Sequence, residues 1–173
     1  MSAVERLSTK RVFATRVSEE HRANFHRVAS NPLAMATLGG FVDVTVQDRM
    51  FDAQRSHWDK HGFGSWMWFE TSSDRHLGHA GLLRFDELGG DDVELAYAFH
   101  PDAWGFGFAE EVAECVVCVA FEDLELESIV ACTLPTNFAS RRLMERAGFR
   151  YERDFLHAGR THVLCRLRAA ARA

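Results

Sequence analysis

Polar and apolar residues alternate through KRVFATRV (10–17), a period of two that predicts a strand. Ser18 then offers a helix N-cap with Glu19 and Glu20 in the first turn. That helix runs to about Ser30, where Asn31-Pro32 stops it. LGGF (38–41) reads as a loop. From Val44 the period lengthens, and Val46, Met50, Ala53, His57 and Trp58 share the face of a helix that Gly62 ends. SWMWFE (65–70), HLGHAGLLRFD (76–86) and VELAYAF (93–99) predict three antiparallel strands, joined by turns at TSSDR (71–75) and ELGGDD (87–92). A helix follows from about Phe108 to Asp123, and SIVACT (128–133) is a short apolar run suited to a central strand. Asn137 caps another helix, Gly148 terminates it, and FRYERDFLH (149–157) with THVLCRL (161–167) forms a hairpin through the turn at 158–160.

The predicted order is β-α-α-β-β-β-α-β-α-β-β in a single domain over residues 1–173, with a core at about 5–167 and a frayed tail at 168–173. The fold class is α/β: a mixed, mostly antiparallel twisted sheet of about seven strands with four helices on both faces. The strand–helix–strand unit from 93 to 133 makes strands 93–99 and 128–133 parallel. Ligands in open α/β sheets bind beyond the carboxyl ends of such strands.

Composition narrows the functional classes. The chain has 173 residues, 47% hydrophobic, with a formal charge of −5, which speaks against general nucleic-acid binding and suits a cationic ligand. No apolar run is long enough to span a bilayer, so the expectation is a cytoplasmic protein with no membrane partner. Cys115 and Cys118 form a C-x-x-C inside an apolar-periodic helix, without a second pair, and read as small buried hydrophobes. His57 and His61 share a helix face but lack H-E-x-x-H, so no metal is expected.

The stretch WGFGFAEE (104–111) lies where a strand gives way to a helix, at the expected ligand end of the sheet. Gly105 and Gly107 allow close backbone approach or positive φ, and a helix N-terminus attracts anions. Neither the dinucleotide fingerprint nor the Walker-A loop fits: the third glycine position is Glu110, and no Gly-Lys-Ser/Thr follows. Two readings stand at this point, a tight turn packed by Trp104 and Phe106, or a phosphate-binding loop.

GHAGLLRF, VELAYAFHPDAWGFGFAEE, AFEDLELESIVA and PTNFASRRLMERAGFRYE together resemble the GNAT N-acetyltransferase superfamily, within it the branch of ribosomal-protein N-terminal acetyltransferases. The resemblance runs from about 5 to 167. It implies acetyl-CoA as acyl donor, with the loop Trp104, Gly105, Phe106, Gly107, Phe108 and Ala109 holding its pyrophosphate. Phe99 and His100, at the strand end, lie beside the thioester, and His100 is also a candidate proton shuttle. It further implies that Asn137 holds the pantetheine arm or the local backbone, and that Ser140 donates a proton to the departing sulfur. From the residues alone, Asn137 is simply an N-cap with Ser140 three residues on. Two carboxylates compete as the base: Glu152, which the ribosomal-protein branch favours, and Glu94, favoured more broadly. Either could equally be a cross-strand ion-pair partner. Tyr97 is a third polar candidate, more readily read as core. Phe106 and Glu110 depart from the family loop, which commonly has a cation and a hydroxyl there. They keep alive an alternative, a catalytically weak acyl-CoA-binding or partner-binding protein. The acceptor is expected to be an amine, protein N-terminus or small molecule, held by LGGF, the second helix and the C-terminal hairpin. The family also makes a homodimer an expectation.

Overall fold

The computed structural model describes residues 5–86, 91–157 and 159–169. The turns expected at 87–92 and 158–160 lie partly outside these residues, and the tail lies outside them from residue 170. The chain opens with a hairpin in which β1 (Arg6–Ser8) pairs antiparallel with β2 (Val12–Arg16), Leu7 opposite Ala14. Three residues are too few for a period of two to register, so the strand count rises from about seven to eight. Asn31-Pro32 ends α1 (Arg22–Ala29) and also starts a helix of its own, α2 (Pro32–Met35). Asn31 accepts from the N–H groups of Leu33 and Ala34, and Pro32 sits in the first turn, where no N–H is needed. The helices therefore number five among the described residues, not four.

The elements that follow are α3 (Val44–His61), β3 (Ser65–Glu70), β4 (His76–Phe85) and β5 (Asp92–Phe99). Then come α4 (Phe108–Cys118), closed by a π-helical turn at Val119–Asp123, β6 (Ser128–Thr133), α5 (Phe138–Arg146), β7 (Arg150–His157) and β8 (Arg160–Arg168). Among the described residues one eight-stranded sheet has the order β1-β2-β3-β4-β5-β6-β8-β7, and only β5 and β6 run parallel. The mixed, mostly antiparallel α/β sheet expected from the sequence is thus observed.

Helices cover both faces of this sheet. Ala98 packs with Val28 of α1 and Ala34 of α2, whereas its neighbour Tyr97, pointing the opposite way on the strand, meets Ser140 of α5. Trp66, Met67 and Trp68 of β3 and Leu77 and Leu82 of β4 are essentially inaccessible, as strands covered on both faces must be. A Cβ on Gly78 would lie 2.2 Å from the Ala98 carbonyl, so only glycine lets β4 run this close to the end of β5. His57 ties α3 to this sheet. Its Nδ1–H donates to the Phe63 carbonyl at 2.8 Å and its Nε2 accepts from the Arg84 N–H at 2.9 Å. Burial lowers its pKa and keeps it in the neutral form that this double contact requires.

Candidate functional site

The parallel pair is barely a pair. β4 and β5 match residue for residue from Gly78↔Phe99 to Phe85↔Asp92, and β6 and β8 match from Ser128↔Arg168 to Thr133↔Val163. Between β5 and β6 the register holds at one position, Glu94↔Val130. Beyond it, toward their carboxyl ends, the two strands share no further ladder position, and this unpaired stretch is the wedge of the sheet. No register shift interrupts β5 against β4, so the loss of pairing with β6 comes without a bulge in that ladder. A strand edge facing such a gap leaves main-chain groups without ladder partners.

At the wide end of the wedge, Tyr97 Oη and Ser140 Oγ lie 2.6 Å apart. Asn137 caps α5, its side chain accepting from the Ser140 N–H at 3.2 Å, and this fixes where the serine points. Ser140 is 9% exposed, and burial pushes the Tyr97 hydroxyl up to about 12, so it stays protonated at any physiological pH.

The glycine loop lies after the end of β5. Trp104 donates its indole N–H to the Phe99 carbonyl at 3.0 Å, and the His100 N–H donates to the Leu77 carbonyl at 2.8 Å. His100 caps a 3-10 turn over Pro101–Ala103, its ring accepting from the Asp102 N–H. Gly105 and Gly107 take φ values of +80 and +77, which the turn into α4 requires and other residues rarely adopt. The first hydrogen bond of α4 runs from the Glu111 N–H to the Gly107 carbonyl. The N–H groups of Phe108, Ala109 and Glu110 therefore open the helix with no intrahelical acceptor, and Gly107 offers no side-chain cap. Phe106 is 60% exposed and supplies no charge. Glu110 turns to α5, where Arg146 Nη1 donates to its Oε2 at 3.2 Å, so this carboxylate has a cation to face. Arg141 donates to the Pro135 carbonyl at the turn before α5.

The two candidate carboxylates have different surroundings. Glu94, half-buried, accepts from the Cys132 thiol at 2.9 Å across the β5–β6 boundary. By strand alternation it shares the face of Ala98, opposite to Tyr97. Glu152 lies three strands further out, on β7, and is held by Arg166 at 2.5 and 3.2 Å. The same guanidinium binds Asp92 at 2.6 Å. Arg166 draws the Glu152 pKa below its ordinary value, which makes it a weaker proton acceptor. The structure thus gathers Tyr97, Phe99, Asn137, Ser140 and the loop around the wedge, with Glu94 at its apex, and leaves Glu152 in an ion-pair cluster.

Two residues stand closer to the site than sequence reasoning ranked them. Tyr97 reads as core by period alone, and only the fold gives it Ser140 as a partner. Arg11 reads as an ordinary strand residue, yet its Nη1 donates to the Phe106 carbonyl in the glycine loop at 2.9 Å. No local pattern could reveal a contact between positions so far apart in the chain. Among the described residues, no group of three or more His, Cys, Asp or Glu side chains is arranged to hold a metal.

Comparison with known proteins agrees with this fold. Residues 11–150 match the Acetyltransferase (GNAT) domain family. The uncharacterized Bacillus subtilis (strain 168) protein YkkB is 23% identical over 154 residues, covering 88% of this chain and 90% of that protein. An acetyltransferase from Agrobacterium tumefaciens str. C58 superposes with a TM-score of 0.84 at 20% identity, covering 96% of each chain. Spermidine N-acetyltransferase from Vibrio cholerae, solved in complex with CoA and spermine, superposes with a TM-score of 0.76 at 16% identity. It covers 92% of this chain and 96% of that one.

Proposed function

The chain belongs to the acetyltransferase (GNAT) family, and from that premise we propose that it is an N-acetyltransferase passing the acetyl group of acetyl-CoA directly to a primary amine. The observation that carries this reading is the wedge between β5 and β6, which pair only at Glu94↔Val130 and have the Tyr97–Ser140 hydroxyls on one side. A thioester arm fits between the strands, with the carbonyl polarised by main-chain N–H groups on the open edge of β5. The glycine loop and the first turn of α4 offer backbone donors to the pyrophosphate. The Glu110–Arg146 contact supports acyl-donor binding under this reading and under the weak acyl-CoA-binding alternative alike, because it answers the charge that would otherwise repel phosphate.

The two faces of the sheet divide the chemistry. Glu94 lies on the face covered by α1 and α2, and Tyr97 with Ser140 on the face covered by α5. An amine entering from the first face meets Glu94 as the base, directly or through water, and attacks the acetyl carbon. A new C–N bond forms, the C–S bond breaks, the nitrogen gives up one proton, and the sulfur gains one. The Tyr97–Ser140 pair hydrogen-bonds the departing sulfur on the other face. The arginine pairing of Glu152 supports leaving that residue out of the proton path. No thiol or hydroxyl is activated as a nucleophile in this scheme, consistent with direct transfer.

The resemblance to ribosomal-protein acetyltransferases makes a protein N-terminus the first acceptor to try, with small amines beside it. The test is incubation with acetyl-CoA and a panel of peptides with free N-termini, spermine and other primary amines, following free thiol and acetylated product by mass spectrometry. Product on any amine, lost in Glu94→Gln, supports the proposal. Tight acetyl-CoA binding without product on any of them supports the binding-protein alternative.

A further inference from the structure

The glycine loop contains no cation of its own, but Arg11 reaches it from the turn between β1 and β2. Its Nη1 donates to the Phe106 carbonyl at 2.9 Å and its Nε to Glu111 Oε2 at 2.6 Å. Its guanidinium stands 5.0 Å over the Phe108 ring, and Nη2 lies 3.5 Å from where a Cβ on Gly107 would be. Glu111 is itself fixed: its Oε1 accepts from the Arg11 N–H at 2.9 Å and from the Thr9 hydroxyl. One side chain therefore fastens both the loop and the first turn of α4 to the β1–β2 hairpin.

The consequence follows from peptide geometry. A trans peptide is planar, with its C=O and N–H pointing in opposite directions. Drawing the Phe106 carbonyl toward Arg11 turns the Gly107 N–H away from Arg11. Gly107, with no Cβ to restrict it, has several peptide orientations open, and the bond from Arg11 favours this one. Since Arg11 is largely matched in charge by Glu111, its effect is directional rather than a simple attraction for phosphate.

We propose that Arg11 is a positioning residue for the acyl donor, aiming the backbone N–H groups of the loop at the pyrophosphate through its bond to the Phe106 carbonyl, with Glu111 and Thr9 orienting it. This rests on the reading that the loop binds acetyl-CoA. The test is calorimetric titration of acetyl-CoA into wild type, Arg11→Gln and Arg11→Lys, with the melting temperature of each and the amide resonance of Gly107 followed in parallel. Expected is a loss of affinity of about tenfold or more in Arg11→Gln, the loss of two charge-assisted contacts. Arg11→Lys should lose nearly as much, because one ammonium cannot hold both the Phe106 carbonyl and Glu111 in fork geometry. The Gly107 amide should shift in both unliganded variants, and turnover at saturating acetyl-CoA should stay near wild type. Full affinity in Arg11→Lys would overturn the positioning role in favour of charge alone, and unchanged affinity in Arg11→Gln would overturn any role. If Arg11→Gln does not fold, Glu111→Gln, which loosens the same guanidinium, must weaken binding or the inference fails. Wild type that does not bind acetyl-CoA would overturn the reading beneath it as well, an outcome distinct from the others.

Discussion

Replacing Tyr97 by Phe removes one oxygen at the wide end of the wedge and leaves Ser140 Oγ, 9% exposed, without its 2.6 Å partner. Ser140→Ala does the converse and strands the buried Tyr97 hydroxyl. Each single change should cost about 1–2 kcal/mol of stability, the penalty for a buried polar group left unpaired. The double variant removes both groups, so its cost should fall short of the sum by about 1 kcal/mol. Urea unfolding of the four proteins measures this cycle. The same four proteins test the chemistry. If the pair serves the departing sulfur, kcat falls about 100-fold in each single variant, in the range for a positioned proton donor. The double variant falls little further, since the two hydroxyls act as a unit. KM for acetyl-CoA stays close to wild type, because the phosphate loop is untouched. Tyr97, at about 12, puts no limb on the pH–rate profile in the neutral range. A coupled pair in the unfolding cycle with kcat unchanged in both single variants would refute the catalytic role and leave a core hydrogen bond.

Three further outcomes follow. Burial holds His76 at about 3, below its ordinary 6.5, so the unfolded chain binds a proton that the folded chain refuses. Stability is therefore full above pH 6.5 and falls as the pH drops toward 3, by about 2 kcal/mol at pH 5. His79, held at about 4 by burial, acts in the same direction, and equal urea midpoints at pH 7.5 and pH 5 would contradict both. Gly78→Ala drives a Cβ to 2.2 Å from the Ala98 carbonyl; it should cost about 1–3 kcal/mol and weaken acetyl-CoA binding by shifting the end of β5, read by thermal unfolding and calorimetry. Glu94→Gln should lower kcat/KM about 100-fold at neutral pH while Glu152→Gln leaves it near wild type, and the reverse ranking in a rate assay would move the base to β7.

Much of the fold is legible because the signals are local. The alternation in 93–99, the helical spacing from Val46 to Trp58 and the caps at Asn137 and Gly62 all act within a few residues, and each element forms where they put it. β1 escapes because three residues carry too little periodicity, and α2 escapes because Asn-Pro is read as a stop when it is also a cap with proline in the first turn. The glycine loop is legible through Gly105 and Gly107, whose positive φ the turn demands. The Tyr97–Ser140 bond, the Arg11–Phe106 contact and the Glu110–Arg146 pair are not, because each joins residues more than thirty positions apart. Glu94 and Glu152 look alike in sequence. Only the fold separates them, setting one at the apex of the wedge and the other against Arg166.

The central claim, that acetyl-CoA occupies the wedge and its phosphates meet the glycine loop, is tested most directly by following backbone amide resonances during an acetyl-CoA titration. The account predicts saturable shifts at Gly105, Gly107, Phe108 and Ala109, accompanied by Tyr97 and Ser140, with Glu152 and Arg166 little changed. No shifts at millimolar ligand, or shifts confined to the arginine cluster around Glu152, would contradict it.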